Sequence, residues 1–444
     1  MSREQLTGWG RTTTSIADVQ HPTSEEEIEE VLAGPDEVTA RGLGRSYGDA
    51  ALLGGGVVLD NRSFDTIGPI GDDGTVTLGS GVSIDQLLNI AVPLGWFVPV
   101  TPGTRQVSIG GALAADVHGK NHHVDGSIGA HVLEIRLVTP SGARTLSPTD
   151  DGELFWATLG AMGLTGFVTS ATIQLMKIET DRVLVDTNRF SDLDSVMSAM
   201  TEGDRDYRYS VAWVDCMTRG SHMGRAILTR GVHATRGDVS DAALRGPRSS
   251  KLAVPFAAPS GLLNSLTVKA FNEAWYRTSP RHEERESESF SSFFHPLDGV
   301  RDWNLLYGKR GFVQYQFCVP DEGADTVVRA IDHLSASKVP SFLAVLKRFG
   351  PPTPGPLSFP MPGWTLALDL PVGPSKLPGV LDTLDEMVIG AGGRVYFAKD
   401  ARLSPDKVRA MYPRLHEFLD VKNRVDPDHR LTSDLARRLQ LSGK

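Results

Sequence analysis

Six side chains that can exchange protons or form hydrogen bonds lie close together in this chain: Asp116, His118, Lys120, Asn121, His122 and His123. They follow the glycine pair Gly110-Gly111. Glycine has no Cβ, so its backbone can lie flat against a ligand and present N–H groups to it. We therefore interpret residues 101–123 as a cradle for a cofactor. The alternative is a glycine-rich surface turn with solvated histidines.

A second glycine-rich stretch, residues 40–49, has the sequence ARGLGRSYGD. Backbone donors that alternate with the guanidinium groups of Arg41 and Arg45 suit a pyrophosphate. The pattern is neither GxGxxG at the start of a helix nor GxxxxGK[ST]. A Rossmann site and a P-loop are therefore not indicated.

Together the two stretches resemble the FAD-binding domain of the vanillyl-alcohol-oxidase type of flavoprotein. Within that superfamily the chain is similar to the decaprenylphosphoryl-β-D-ribose oxidases, the flavin subunits of an epimerase that makes the arabinose donor for cell-wall synthesis. The similarity extends over nearly the whole chain through the motifs ELFWATLGAMGLTG, AWYR, GFVQYQF, PLSFP, PGW, AKD and MYPR.

The resemblance implies that one bound FAD is the cofactor and that it is not covalently linked to His118. It also implies which residues hold the FAD: Arg41, Gly42, Leu43, Gly44, Arg45, Ser46, Tyr47, Gly48, Asp49, Gly103, Ser108, Ile109, Gly110, Gly111, Ala115, Asp116, Val117, His118, Val168 and Tyr396.

An oxidase of an alcohol must remove a hydroxyl proton while the flavin accepts the hydrogen on carbon. By resemblance, Lys399 matches the active-site lysine, and His118 is the second predicted catalytic residue. Lys399 has three open roles: it stabilises negative charge on the flavin ring, binds the substrate phosphate, or acts as a base when desolvated. A surface lysine after a strand is the alternative interpretation.

Gln314 and Gln316 stand two apart on a strand, so both side chains point to one face. Amides that face a pocket would bind sugar hydroxyls, whereas amides on a solvated face would have no such role. The resemblance implies that the substrate pocket is formed by Tyr47, Lys120, Trp213, Gln314, Gln316, Lys347 and Lys399.

The chain departs from the well-known members of the family at three positions. Ala367 replaces a cysteine, Thr365 an asparagine and Phe294 a tyrosine. That cysteine is where nitroaromatic inhibitors attach in the family, so we expect covalent inhibition of this kind to fail here. The changes leave the flavin site intact but bear on the exact lipid-linked sugar.

The composition excludes several other classes of protein. The net charge of −9 without a basic stretch argues against a nucleic-acid partner. The two cysteines, Cys216 and Cys318, form no metal-ligand spacing and no disulfide framework, and we expect no metal site. The polar N-terminus resembles no signal peptide, and no apolar run reaches the length of a transmembrane helix.

The order of the predicted elements indicates an α+β protein with two domains. We expect an FAD-binding domain at 1–179, completed by 396–444, and a substrate-binding domain at 180–395 with an antiparallel sheet and flanking helices. Residues 230–251 predict a long mobile loop without strand or helix. The apolar stretch 252–266 predicts either a lid or a surface that meets lipid.

The resemblance implies FAD-dependent oxidation of the ribose C2 hydroxyl of decaprenylphosphoryl-β-D-ribose to a ketone. A separate NADH-dependent reductase of the short-chain type would then complete the epimerisation. It also implies a peripheral position at the inner membrane, on its periplasmic side. The alternatives are a sugar or aldonolactone oxidase with a soluble substrate, and a flavin-free binding subunit that keeps the fold.

Overall fold

The structure, a computed structural model, describes residues 2–248, 250, 252–259 and 261–441. Its strands, in chain order, are β1 Ser2–Thr7, β2 Thr14–Gln20, β3 Val38–Arg41, β4 Val57–Asp60, β5 Thr75–Gly79, β6 Trp96–Phe97, β7 Val132–Thr139, β8 Gly142–Leu146, β9 Phe167–Gln174, β10 Met176–Lys177, β11 Arg182–Phe190, β12 Tyr209–Val214, β13 Ala226–His233, β14 Leu252–Ala253, β15 His282–Ser289, β16 Val300–Arg301, β17 Phe312–Pro320, β18 Ala344–Phe349, β19 Gly363–Pro371 and β20 Arg394–Val395.

The α-helices are α1 Glu25–Ala33, α2 Ile84–Ala91, α3 Ile109–Ala114, α4 His122–Asp125, α5 Gly152–Thr158, α6 Leu193–Gly203, α7 Ser265–Thr278, α8 Phe290–Phe294, α9 Asp325–Ser337, α10 Leu377–Gly390, α11 Pro405–Met411, α12 Leu415–Val425 and α13 Asp434–Leu439. Among the described helices, none is both long and apolar enough to cross a bilayer.

Two small sheets organise the first part of the chain. One has the order β1-β2-β4-β3, with β2 and β3 parallel to β4, and the other is antiparallel with the order β5-β9-β7-β8. Helix α1 begins where Ser24 accepts a hydrogen bond from the backbone N–H of Glu27, which satisfies one free donor of the first turn. Its buried Ile28 and Leu32 pack in one cluster with Phe167 of the second sheet.

An eight-stranded sheet dominates the middle of the chain, with the order β15-β11-β13-β12-β18-β19-β17-β20 and antiparallel pairing throughout. Strands β17 and β19 pair over their full lengths, so Gln314 lies opposite Asp369 and Gln316 opposite Ala367. The predicted α+β class and the antiparallel sheet are confirmed.

The C-terminal helices pack back against the beginning of the chain. Leu431 forms a parallel bridge with Val38, and the Asp434 carboxylate accepts hydrogen bonds from Ser15 and from the backbone N–H of Gly54. The fully buried ion pair of Lys422 and Asp426 closes the turn after α12, with a distance of 2.7 Å between Nζ and Oδ2. These contacts fit a C-terminal segment that completes the first domain; the domain boundaries themselves stay a prediction.

Some elements differ from those expected. The predicted loop at 230–251 begins too early, because Arg230 to His233 belong to β13. Gly231 interrupts the apolar pattern there for a packing reason: a Cβ at this position would lie 2.8 Å from the Val183 side chain. The rest of that loop has no strand or helix up to residue 248, and Ser249, Lys251 and Ser260 of the two predicted segments lie outside the described residues. Its mobility stays a prediction.

One arginine ties the first glycine-rich stretch to the segment that carries Lys399. Arg438 of α13 donates to both oxygens of Asp49, at 2.7 and 2.8 Å, and to Asp400 Oδ2 at 2.9 Å. Both carboxylates are buried. A charge-assisted, bidentate arrangement of this kind fixes geometry as well as energy.

Replacement of Arg438 by alanine would leave these two buried carboxylates without their cation. We expect Arg438→Ala to lower the free energy of unfolding by about 3–5 kcal/mol, measured as a lower midpoint in urea. The control is Arg409→Ala, which removes an exposed ion pair with Asp406 and should shift the midpoint little. Equal shifts in the two variants would contradict the role of Arg438.

Candidate active site

A single cavity of about 890 Å³ joins the two glycine-rich stretches to the eight-stranded sheet. This volume lies in the upper part of the usual range for ligand sites. Most of the residues predicted for the FAD and the substrate line it: Arg41, Gly42, Leu43, Gly44, Arg45, Ser46, Tyr47, Gly103, Ser108, Gly110, Gly111, Ala115, Val117, His118, Lys120, Val168, Trp213, Gln314, Gln316, Lys347, Tyr396 and Lys399.

Four of the predicted residues do not line the cavity but support its wall. Asp49 is held by Arg438, and Gly48 packs so closely on Asp400 that a Cβ would lie 2.0 Å from the carbonyl oxygen. Ile109 is fully buried in the main core. The buried carboxylate of Asp116 accepts hydrogen bonds from Gly129 N, Thr353 Oγ1 and Ser358 Oγ, at 3.1, 2.7 and 2.9 Å.

The last part of the expected cradle also turns away from the cavity. Asn121 donates to the carbonyl of Pro99, His122 accepts from the backbone N–H of Gly350, and His123 contacts the carbonyl of Tyr207. These polar groups are satisfied by the protein backbone. The lining of the cavity from this stretch therefore ends at Lys120.

The loop at residues 42–46 offers an unusual number of free donors. Among the hydrogen bonds of the described residues, none has a backbone N–H of this loop as its donor. Arg41 beside it donates to the carbonyls of Ala51 and Thr7, and Arg45 donates to that of Gln106, but neither guanidinium has a carboxylate within 4 Å in the described chain. Backbone N–H groups and unpaired guanidinium groups in one place form an anion site.

The cradle meets this loop in direct contact. A Cβ on Gly42 would lie 2.1 Å from Oγ of Ser108, the residue that caps α3 by accepting a hydrogen bond from Gly111 N. Gly103 and Gly111 are both exposed on the cavity wall, and a Cβ on Gly103 would meet nothing within 4 Å. A side chain at either position would therefore project into the cavity. This slot, with an anion site at its end, fits a dinucleotide such as FAD.

Lys399 also lines the cavity, above the ring of Tyr47, with its Nζ 3.9 Å from the ring centroid. Burial lowers the pKa of Lys399 to about 7; the charge of Asp369 acts in the opposite direction, and Lys347 lowers this pKa further. Tyr47 is held by its backbone N–H, which donates to Ala398 O at 2.9 Å. Lys399 is thus an amine with both protonation states accessible near neutral pH.

Behind Lys399, a buried network fixes the first glutamine. Gln314 Nε2 donates to Asp369 Oδ1 at 2.5 Å and to the Tyr47 hydroxyl at 3.2 Å, and Tyr307 donates to the other oxygen of Asp369 at 3.2 Å. Burial raises the pKa of Asp369 to about 6, against the hydrogen bond from Gln314. The carboxylate is therefore largely ionised at neutral pH and acts on Lys399 through space.

The second glutamine holds the imidazole of His118. Gln316 Nε2 lies 2.9 Å from His118 Nε2 and 3.2 Å from Thr365 Oγ1. Burial and then the charge of Lys347 lower the pKa of His118 well below its ordinary value, so the ring is neutral and Nε2 accepts. Nδ1 is buried and has no hydrogen-bond partner among the described residues.

Two further lysines complete the polar part of the cavity. Burial lowers the pKa of Lys120 to about 7 and that of Lys347 to about 8. Lys120 donates to the carbonyl of Phe293, and its Nζ lies 4.1 Å from the centroid of that ring. Trp213 is fixed by its indole N–H, which donates to Phe342 O at 3.0 Å. Three lysines in one cavity favour an anionic substrate.

The sequence prediction missed two residues of the site. Trp9 packs under the guanidinium of Arg45, with Cζ 4.0 Å from the ring centroid, and nothing in its polar surroundings marks it. Asp369 had a recognisable signal: it is the charged residue of a largely apolar strand, on the same face as Thr365 and Ala367. Of the three departures noted in the sequence, Phe294 and Ala367 line the cavity, whereas Thr365 stands behind Gln316.

Comparisons with known proteins agree with this geometry. The model of a family described as an FAD binding domain matches residues 17–146. The chain is 41% identical to the decaprenylphosphoryl-β-D-ribose oxidase of Mycolicibacterium smegmatis, over 99% of this chain and 98% of that protein. It is 37% identical to an uncharacterised Streptomyces coelicolor protein, over 81% and 100%.

A more distant similarity bears on the alternative of a soluble substrate. The chain is 24% identical to the L-gulono-1,4-lactone dehydrogenase of Mycobacterium tuberculosis, over 95% of both chains. The identity along the whole length is much higher for the decaprenylphosphoryl-β-D-ribose oxidase, at 41% against 24%. The chain therefore belongs to the decaprenylphosphoryl-β-D-ribose oxidase family of FAD-dependent oxidoreductases.

Proposed function

We propose that this protein oxidises the C2 hydroxyl of decaprenylphosphoryl-β-D-ribose to a ketone with FAD as its cofactor. The observation that carries the proposal is the continuous cavity that runs from the free N–H groups of residues 42–46 to Lys399, Lys120 and Lys347. When bound, FAD accepts the hydrogen on the sugar carbon as a hydride. The name of the mycobacterial relative supplies the substrate.

Different residues around the cavity bind the cofactor and orient the substrate. The loop at 42–46, with Arg41 and Arg45, holds the pyrophosphate of the cofactor, and Gly103 and Gly111 leave room for it. Gln314 and Gln316 orient the sugar. Both amides are already fixed by hydrogen bonds, so little freedom is lost when the substrate binds.

Lys399 serves as the base that accepts the hydroxyl proton. A base is most effective when its pKa lies near the working pH, and burial brings the pKa of Lys399 to about 7. Lys120 and Lys347 bind the phosphate of the lipid-linked sugar, whose negative charge favours their protonated forms. His118 stays uncharged, and Gln316 fixes the position of its ring at the cavity wall.

The proposal extends to the partner and the place of action. A ketone at C2 needs a reductase to return it to the alcohol of opposite configuration, and an NADH-dependent enzyme of the short-chain type would supply that hydride. The substrate carries a long polyprenyl chain, which supports a peripheral position at the inner membrane; the periplasmic side is proposed from the family resemblance alone.

The alternative of a sugar or aldonolactone oxidase with a soluble substrate has the distant lactone dehydrogenase in its favour. The decisive test is purified holoenzyme mixed with a polyprenylphosphoryl ribose in the absence of oxygen. We expect the yellow flavin to bleach, and an unreacted flavin would reject the proposed substrate. A colourless protein that takes up no FAD would instead indicate a binding subunit.

Gly111→Val would place a branched side chain in the slot proposed for the cofactor. We expect the purified variant to lose most of its FAD, measured by flavin absorbance per protein. Gly379→Val is the control, since Gly379 is exposed in α10 and a Cβ there meets nothing within 4 Å. Normal FAD content in Gly111→Val would contradict the cradle.

Lys399→Ala should retain FAD but lose turnover by about 10²–10⁴-fold, because the base is missing. The measurement is the rate of flavin reduction by substrate in a single turnover. Lys309→Ala, at an exposed lysine, should react like the wild type. A variant at 399 that keeps its rate would rule out the assigned role.

Asp369→Asn removes the negative charge that raises the pKa of Lys399. If the neutral amine is the active form, the rate rises with pH through about 7 in the wild type, and the variant should show this rise about 1 unit lower. The pH profile of flavin reduction measures it, with the exposed Asp332→Asn as control. A rate that falls with rising pH through this range would indicate that the charged lysine is the active form.

A further inference from the structure

Beside the mouth of the cavity, the chain exposes a group of large apolar side chains that we call the apolar rim: Leu252, Phe256, Leu262, Leu266, Phe271 and Trp275. The most exposed are Leu266, at 78%, and Phe256, at 71%. Single exposed apolar residues are ordinary, but a contiguous group marks an interaction surface. This group belongs to one segment, from β14 to the third turn of α7.

The apolar rim continues into the cavity. Phe271 and Trp275, one helical turn apart on α7, line the cavity and are also about half exposed to solvent. Their rings are stacked, with centroids 6.4 Å apart and an angle of 6° between the planes. On the other side, β14 pairs with β16, whose Val300 and Arg301 line the cavity as well. An apolar path therefore leads from the outer surface towards the substrate site.

The apolar rim carries few charges. The sequence from 252 to 275 contains one acidic residue, Glu273, which pairs with Arg225 and Arg277. It contains Lys269, and Arg301 lies beside it on β16. Both residues are exposed, and neither has an ion-pair partner among the described residues. Apolar side chains with unpaired cations among them match the acyl layer and the phosphates of a lipid surface.

We propose that the apolar rim docks the protein on a bilayer that contains anionic phospholipid. Leu252, Phe256 and Leu266 enter the acyl layer, Trp275 lies at the level of the headgroups, and Lys269 and Arg301 contact lipid phosphates. The polyprenyl chain then passes from the bilayer into the cavity along Phe271 and Trp275 without entering water. This inference rests on the proposed function for the identity of that chain.

The test uses the FAD-loaded protein and vesicles of phosphatidylcholine with phosphatidylglycerol. We expect the wild type to sediment with the vesicles. A double variant with Phe256→Glu and Leu266→Glu should bind the vesicles at least about tenfold more weakly. Neither of these residues lines the cavity. The control is Ile16→Glu, at an exposed isoleucine of β2, which should sediment like the wild type. Equal sedimentation of the double variant and the wild type would overturn the proposal.

A second measurement separates this inference from the proposed function. A ribose phosphate with a short, water-soluble prenyl chain should be oxidised at the same rate by the double variant and the wild type, whereas decaprenyl substrate in vesicles should react more slowly with the variant. If the protein binds vesicles but oxidises no ribose lipid, the result supports membrane docking by the apolar rim and rejects the proposed function. The apolar rim would instead bind a second copy of the chain if the wild type forms dimers and does not bind vesicles, while the double variant is monomeric.

Discussion

The bidentate contact between Arg438 and Asp49, extended to Asp400, is the constraint on which the site depends. It joins three parts of the chain that are far apart in sequence: the end of the first glycine-rich loop, the segment of Lys399 and the last helix. Tyr47 and Gly48 add close backbone contacts with Ala398 and Asp400. The distance between the anion site and Lys399 is therefore fixed by the folded chain before any ligand arrives.

A second constraint comes from the pairing of β17 with β19. The register places Gln314 opposite Asp369 and Gln316 opposite Ala367, and Gln316 reaches Thr365 two residues along β19, so each glutamine is held by a partner from the adjacent strand. One face of this pair thereby orients both Tyr47 and His118, which come from the two glycine-rich stretches. The sheet carries the two glutamines proposed to orient the substrate, and the glycine-rich stretches carry the residues proposed to bind the cofactor. The proposed function therefore needs both.

The parts of this site that sequence reasoning found are those with a local signal. Glycine density and guanidinium groups are visible in a few consecutive residues, and so is the spacing that places Gln314 and Gln316 on one face of a strand. Trp9 and the support roles of Asp49 and Asp116 depend on contacts between distant segments, which no local pattern contains. Strand β15 was missed because its HEERESES sequence is almost entirely polar, as suits an exposed edge strand.

The free N–H groups of residues 42–46 have a thermodynamic consequence. Backbone donors that face a cavity without a protein acceptor must be solvated by water or bound by an anion, and the guanidinium groups of Arg41 and Arg45 beside them have no carboxylate partner in the described chain. Stability and cofactor loading are then linked: a ligand present at a hundred times its dissociation constant adds about 2.7 kcal/mol to the folded state. Preparations that lose FAD would for this reason be less resistant to heat and proteases, and simple polyanions would partly restore them.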